Sequence, residues 1–98
     1  MEKYAPHCKL ALVQVLANAG NIRTTRSARD GALAIGLDFD GMVEVVKSLT
    51  PSDFYKSMTS HVDHRIWQDV YRPYTSRGHI YLKLTIIDEV LIVSFKEL

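Results

Sequence analysis

A lysine, a glutamine and a tyrosine, Lys56, Gln68 and Tyr81, stand 12 and then 13 residues apart in this chain of 98. A lysine ammonium donates to a phosphate, a glutamine amide orients a hydroxyl or a base edge, and a tyrosine hydroxyl gives or takes a proton. Separations of this size bring three side chains side by side when they lie on successive strands of an antiparallel meander. The surrounding stretch, Phe54 to Leu84, carries five Lys/Arg (Lys56, Arg65, Arg72, Arg77, Lys83) against two acids (Asp63, Asp69), which makes it net +3. Interleaved with them are four tyrosines, Trp67 and three histidines. A sheet face that mixes cations with flat rings suits a single-stranded nucleic acid, because cations meet phosphates and rings stack on bases. Polar residues are also expected on any open sheet face. Gln68 shares its alternation with Ile66 and Val70, so periodicity leaves its direction open.

Other groupings have simpler explanations. His61, Asp63 and His64 have the residue types of a metal site, but a closed zinc site needs four ligands and the one cysteine, Cys8, lies far upstream. A polar turn between strands accounts for them, and no metal ligand is expected. Asp38-Phe39-Asp40-Gly41 lacks the later ligands of a calcium loop and precedes a helical pattern, so it reads as a helix cap. His7 and Cys8 are adjacent, and neighbours on a helix do not face each other. Asp63, Arg65, Asp69 and Arg72 read individually as surface charge or cross-strand ion pairs.

The elements that must position the trio follow from a change of period. In the first half, Leu10, Val13, Leu16 and Ala17 share a helical face, with Pro6 in the first turn and Gly20-Asn21 as the stop. Ile22 to Thr25 reads as a short strand or connector. A second helix is predicted over Ser27 to Ile35, ended by Gly36 and weakened by Gly31 at its centre. A third, capped by Asp38 or Asp40, places Met42, Val45, Val46 and Leu49 inward. Thr50 to Asp53 has the cap, proline and acid of one further turn.

After Phe54 the period approaches two. The clearest strand is His79 to Ile87, with Ile80, Leu82, Leu84 and Ile86 on one face and His79, Tyr81, Lys83 and Thr85 on the other. Strands are also predicted at Phe54 to Ser60, at Ile66 to Arg72 and at Val90 to Phe95. The last is apolar on both faces, as a central strand would be. The fold class is α+β: N-terminal helices on one face of an antiparallel sheet, the other face open to a ligand.

Bulk properties bound the reading. The length fits one domain, residues 1–98. At 47% hydrophobic and 23% charged the chain has the composition of a folded protein rather than a disordered one. A net charge of +1 is not that of a general nucleic-acid binder, so any such contact rests on a local patch. The lone cysteine and the lack of a long apolar run predict a cytoplasmic protein without a membrane segment.

Four strings, IGLDFDGM (Ile35 to Met42), SDFYKSMT (Ser52 to Thr59), HRIWQDVYRP (His64 to Pro73) and VLIVSFKE (Val90 to Glu97), closely resemble the motility quorum-sensing regulator toxins, the MqsR family. The similarity extends from RTTRSA (Arg23 to Ala28) to Leu98 and so over most of the chain. The resemblance implies a RelE-like messenger-RNA interferase of a type II toxin–antitoxin system. It implies metal-independent cutting of mRNA at GC-containing triplets, GCU preferred, with no cofactor. It also implies neutralisation by a cognate antitoxin that binds zinc and DNA through its own domains. Position by position, Lys56 in FYKSM, Gln68 in IWQDV and Tyr81 in IYLK match the family's active-site residues. Lys96 in SFKE matches a basic position near the same cleft, and Arg72 and Lys83 join it as expected RNA contacts.

In such a site the ribose 2′-OH attacks the adjacent phosphorus, which excludes DNA as substrate. Lys56 is expected to stabilise phosphate charge, doubling as base if its pKa is lowered; Tyr81 to act as acid/base or orient substrate; Gln68 to position it. The near-neutral charge departs from the strongly basic RelE-like pattern and predicts modest, salt-sensitive affinity. The competing reading is a non-catalytic module, a degenerate toxin, docking RNA or protein on the same face.

Overall fold

The apolar positions of the first half, spaced three and four apart, close into three helices in the computed structural model, which describes residues 1–98. Helix α1 (Leu10–Asn18) buries Val13 and Ala17, and Gly20, at φ 81°, turns the chain after it. Its start differs from expectation. Lys9 is the N-cap, and Pro6 lies ahead of the helix rather than in its first turn. The His7 and Cys8 amides instead donate to the two carboxylate oxygens of Asp69, each at 3.0 Å.

Helix α2 (Arg26–Leu33) buries Ala28 and Ala32 and is capped by the Thr25 hydroxyl, which accepts from the Ala28 amide. Helix α3 (Phe39–Lys47) buries Met42 and Val46 and is capped by Asp38, which accepts from the Gly41 amide at 2.8 Å. The Thr50 signal forms a single 3₁₀ turn (Pro51–Asp53) in which Asp53 Oδ2 accepts from the Thr50 amide.

Seven strands make one sheet: β1 (Glu2–Lys3), β2 (Ile22–Thr24), β3 (Phe54–Thr59), β4 (Trp67–Tyr71), β5 (Tyr74–Thr75), β6 (Gly78–Ile87) and β7 (Glu89–Glu97). Their order is β1-β3-β4-β6-β7-β2, with β5 forming a small hairpin on β6. The expected antiparallel meander β3-β4-β6-β7 is present, and the fold is α+β. Two additions lie outside it: β1 pairs with β3 at one edge, and β2 runs parallel to β7 at the other.

The buried residues of all three helices join Tyr71, Ile80, Leu82, Leu84, Val90, Ile92 and Phe95 in one core cluster, so the helices share a face of the sheet. No helix is long and apolar enough to cross a membrane.

Helix α2 closes the sheet where β2 stops. Thr25 continues the ladder through its amide to the Ile92 carbonyl, and its hydroxyl donates to the Val93 carbonyl. The helix then lies against the remaining half of β7 so closely that a Cβ on Gly31 would sit 2.1 Å from the Phe95 carbonyl oxygen. A free strand edge is thereby covered. The glycine that weakens the helix in propensity terms is what permits this approach. Gly31→Ala brings roughly 1 kcal/mol of helix propensity, against overpacking that costs about 1–3 kcal/mol or more when the clash is with backbone. We expect net destabilisation, read as a lowered urea midpoint with an unchanged m-value; an unchanged or raised midpoint would show that α2 does not clamp β7.

Candidate active site

Strand register decides which side chains meet. Opposite residues in an antiparallel pair point to the same face. Lys56 pairs with Val70, Val70 with Lys83, and Lys83 with Ser94, which makes one continuous row across four strands. Asp69 and Tyr71, opposite Leu84 and Leu82, face the helices. The row therefore lies on the other, uncovered face. Val70 is fully buried yet stands outside the core cluster, as a residue walled in by its lysine neighbours on that face would.

Gln68 pairs with Met58 and has the parity of Val70, so it points to the open face. Tyr81, opposite Lys96, lies there too. The structure thus gathers Lys56, Gln68, Tyr81, Lys83 and Lys96 on one face, with Arg72 just past the end of β4. It corrects their arrangement. Lys83, not Tyr81, is level with Lys56, and the trio runs diagonally, with Gln68 two residues to one side of the Val70 row and Tyr81 two residues to the other. Two strand spacings, about 10 Å, separate the Lys56 and Lys83 backbones. Their side chains flank a floor made by Val70.

Two register shifts make this possible. One lies between Phe54 and Lys56, the other between Lys83 and Leu84 on the β6–β7 pair, where Val93 is the unpaired residue. A bulge lets two successive residues stand against one and reverses the alternation. In β3 it sends Phe54 toward Tyr71 in the core (ring centroids 5.5 Å apart) while Tyr55 joins Lys56 outside. In β7 it lets Ile92 face the core and Ser94 the open side, although both numbers are even.

Partners differentiate the cations. Lys56 Nζ donates to Glu2 Oε2 at 2.5 Å, a residue that β1 delivers to the rim of the face. The hydrogen bond from Lys56 to Glu2 holds the lysine pKa above its ordinary value. This overturns the expectation that Lys56 acts as base through a lowered pKa. Lys83 makes no ion pair, and burial, followed by the charge of Lys96, pushes its pKa down. Arg72 stacks its guanidinium 3.7 Å from the Tyr55 ring centre, and Lys96 Nζ lies 5.3 Å from that of Tyr81. The Gln68 amide makes no hydrogen bond within the protein and is free to engage a ligand.

Several residues that drew attention in sequence lie elsewhere. Trp67 faces away from this surface, under the Lys3 ammonium (4.2 Å) and stacked with His7 (5.5 Å). Tyr71 is in the core, its unpartnered hydroxyl pushed up to about 12 by burial first and then by Asp69. Asp69, read as surface charge, is 2% exposed and anchors the N-terminal segment. Asp63 does form the surface ion pair expected, with Arg65 at 3.0 Å. Glu2 is not marked as a site residue by the sequence. A two-residue strand more than fifty positions from its partner leaves no periodic signal, and an acid directly before Lys3 was the only local hint.

Comparison with known proteins agrees with the strings read in the sequence. A sequence model of a family described as "Motility quorum-sensing regulator, toxin of MqsA" matches residues 5–97. The chain is 61% identical over 97 residues to the mRNA interferase toxin MqsR of Escherichia coli (strain K12), covering 99% of both.

The ion pair at the rim is open to direct test. In Glu2→Gln the Lys56 pKa should fall toward the ordinary lysine value of about 10.4, followed by NMR titration of the lysine side chains, while Lys83 stays depressed. A Lys56 titration unmoved by the substitution would rule out the Glu2 contact in solution.

Proposed function

Because this chain belongs to the motility quorum-sensing regulator toxin family, we propose that it is an endoribonuclease toxin that cuts messenger RNA and is neutralised by an antitoxin. The observation that carries the reading is the row Lys56–Val70–Lys83 on the uncovered sheet face, with Gln68 and Tyr81 reaching in from either side. Two ammonium groups flanking an apolar floor fit a phosphodiester; of the acids on this side, Glu2 is paired with Lys56 and Glu89, at the far edge, with Arg23.

Scission proceeds by attack of the 2′-oxygen on phosphorus with loss of the bond to the 5′-oxygen. The products are a 2′,3′-cyclic phosphate and a free 5′-hydroxyl. Lys56, kept protonated by its surroundings, stabilises charge on the non-bridging oxygens. Lys83 in its neutral form takes the 2′-OH proton, since of the two level lysines it is the one whose environment favours losing a proton. Tyr81 protonates the leaving 5′-oxygen, and the Gln68 amide orients the ribose or base. Protein cations supply the charge stabilisation, so the reaction runs without a metal. Lys96 holds a flanking phosphate, and Arg72 contacts the RNA beyond the scissile bond. Cleavage falls at GC-containing triplets, GCU preferred, in the cytoplasm, and the antitoxin carries separate zinc-binding and DNA-binding domains.

Lys56→Ala, Gln68→Ala and Tyr81→Ala should each lower kcat/KM on a GCU-containing RNA by about 10²-fold or more, in EDTA, with unchanged circular dichroism. A 2′-deoxy substitution at the cut position should abolish scission. Binding without scission by the unaltered protein would instead favour a non-catalytic docking module.

The proton-acceptor role has its own signature. Rate should rise with pH as Lys83 loses its proton, at a pH below the ordinary lysine range. Lys83→Arg retains the charge but not the base, so kcat should fall while KM holds and the rise with pH disappears. An identical pH profile in Lys83→Arg would assign the base elsewhere.

A further inference from the structure

At the end of the open face beyond Tyr81, a cavity of about 310 Å³ is lined by Ser52, Asp53, Phe54, Arg72, His79 and Leu98. It continues the columns of the site. Arg72 lies two residues beyond Val70, His79 two before Tyr81, and Leu98 two beyond Lys96. Two residues along a strand advance about 6.6 Å, a distance that one nucleotide of an unstacked single strand readily covers. A strand with its scissile phosphate over Val70 therefore brings a neighbouring nucleotide to this cavity.

The lining distinguishes a base from a phosphate. Its lining includes one arginine and one carboxylate, Arg72 and Asp53, so it carries no cationic excess to favour an anion. Arg72 is held by its guanidinium lying over the Tyr55 ring, 3.7 Å from its centre. Asp53 spends Oδ2 on the Thr50 amide and hydroxyl and leaves Oδ1 without a partner. The His79 ring is set edge-on against Tyr74 at 4.7 Å, and Phe54 and Leu98 supply apolar walls. Donors, an acceptor and flat or apolar side chains gathered in one cavity are the complement of a nucleobase. Arginine pairs with the O6 and N7 acceptors of guanine, and a carboxylate accepts from base amino groups. Guanine presents both edges at once.

From this we infer that the Asp53–Arg72–His79 cavity is a nucleobase subsite that selects guanine next to the scissile bond. The inference rests on the nuclease reading and assigns its sequence preference to named residues: Arg72 reads the O6/N7 edge, Asp53 the amino edge, and His79 closes the pocket.

The test compares oligoribonucleotides that carry guanine, 7-deazaguanine or inosine at each position flanking the cut, under single-turnover conditions and by equilibrium binding. With the unaltered protein, 7-deazaguanine and inosine at one flanking position should each slow scission by about tenfold, the worth of one lost base contact. Arg72→Ala should lose its sensitivity to 7-deazaguanine, and Asp53→Asn its sensitivity to inosine. Because Asp53 also caps a turn, His79→Ala serves as a second variant and should narrow the discrimination on both analogues. Discrimination unchanged in Arg72→Ala and His79→Ala would overturn the subsite while leaving the nuclease standing. Binding discrimination that these variants abolish, with no scission by any form, would retain the subsite and overturn the nuclease.

Discussion

Everything on the open face depends on the register of β4 between its two neighbours. Gln68 and Asp69 are adjacent in sequence and point to opposite sides of the sheet. One reaches an exposed surface; the other is buried and holds the His7 and Cys8 amides. A slip of one residue would exchange them. It would bury an amide where a carboxylate is fully satisfied and expose Tyr71, which belongs to the core cluster. The core side therefore sets the register, and the functional side inherits it. Asp69 links the two. Its bonds fix the segment leading to β1, β1 pairs with β3, and that pairing carries Glu2 to Lys56.

The same economy explains how a chain of net charge +1 can present a cationic surface. The open face and its rim hold Lys56, Arg72, Lys83 and Lys96 against Glu2, with Arg23 and Glu89 paired to each other at the far edge, which leaves the remainder of the molecule with a small acidic excess. Cations so close together raise each other's cost of staying charged, and the structure answers differently at each. Lys56 has a carboxylate, Arg72 and Lys96 have aromatic rings, and Lys83, at the centre of the row, has neither. Its depressed pKa follows from that position. Two lysines of identical intrinsic chemistry thus have their pKa values shifted in opposite directions, Lys56 up by its bond to Glu2 and Lys83 down by burial first and then by Lys96.

The sequence made the helices, the meander and most cap residues legible because each rests on a local period or a local hydrogen-bond pattern. Val13 and Ala17, Met42 and Val46, and the Ile80–Leu82–Leu84 stripe are where those patterns put them. Long-range pairings were not legible. β1 and β2 are two and three residues long, too short for any alternation to declare itself, and the parallel pairing of β2 is fixed by Asn21 and Thr25 bonding to β7. The site residues were recognised as types, but their arrangement was read from spacing that assumed unbroken alternation. The bulges at Tyr55 and Val93 break it, and the β4–β6 register, which sets Val70 opposite Lys83, puts Lys83 rather than Tyr81 in the central row. The ambiguity noted at Gln68 had the same origin: Ile66, Gln68 and Val70 alternate with Trp67, Asp69 and Tyr71, and neither set is uniformly polar.

These bulges bracket the face, one in β3 and one in β7 on either side of the β4–β6 pair. Without the first, Tyr55 would oppose Val70, and Lys56 would turn toward the core opposite Asp69. Without the second, Ser94 and Lys96 would trade places with Val93 and Phe95. Each bulge raises local twist and leaves one residue out of the ladder. For Val93 the Thr25 hydroxyl takes up the carbonyl; for Tyr55 the Arg72 guanidinium covers the ring. Both irregularities are therefore stabilised by contacts of their own, and a bulge so secured is a fixed feature of the sheet. A strictly alternating sheet with the same core would be simpler to encode but would leave only Gln68, Tyr81 and Lys83 of this group facing outward. The departures from regularity bring Lys56 and Lys96 to the same surface.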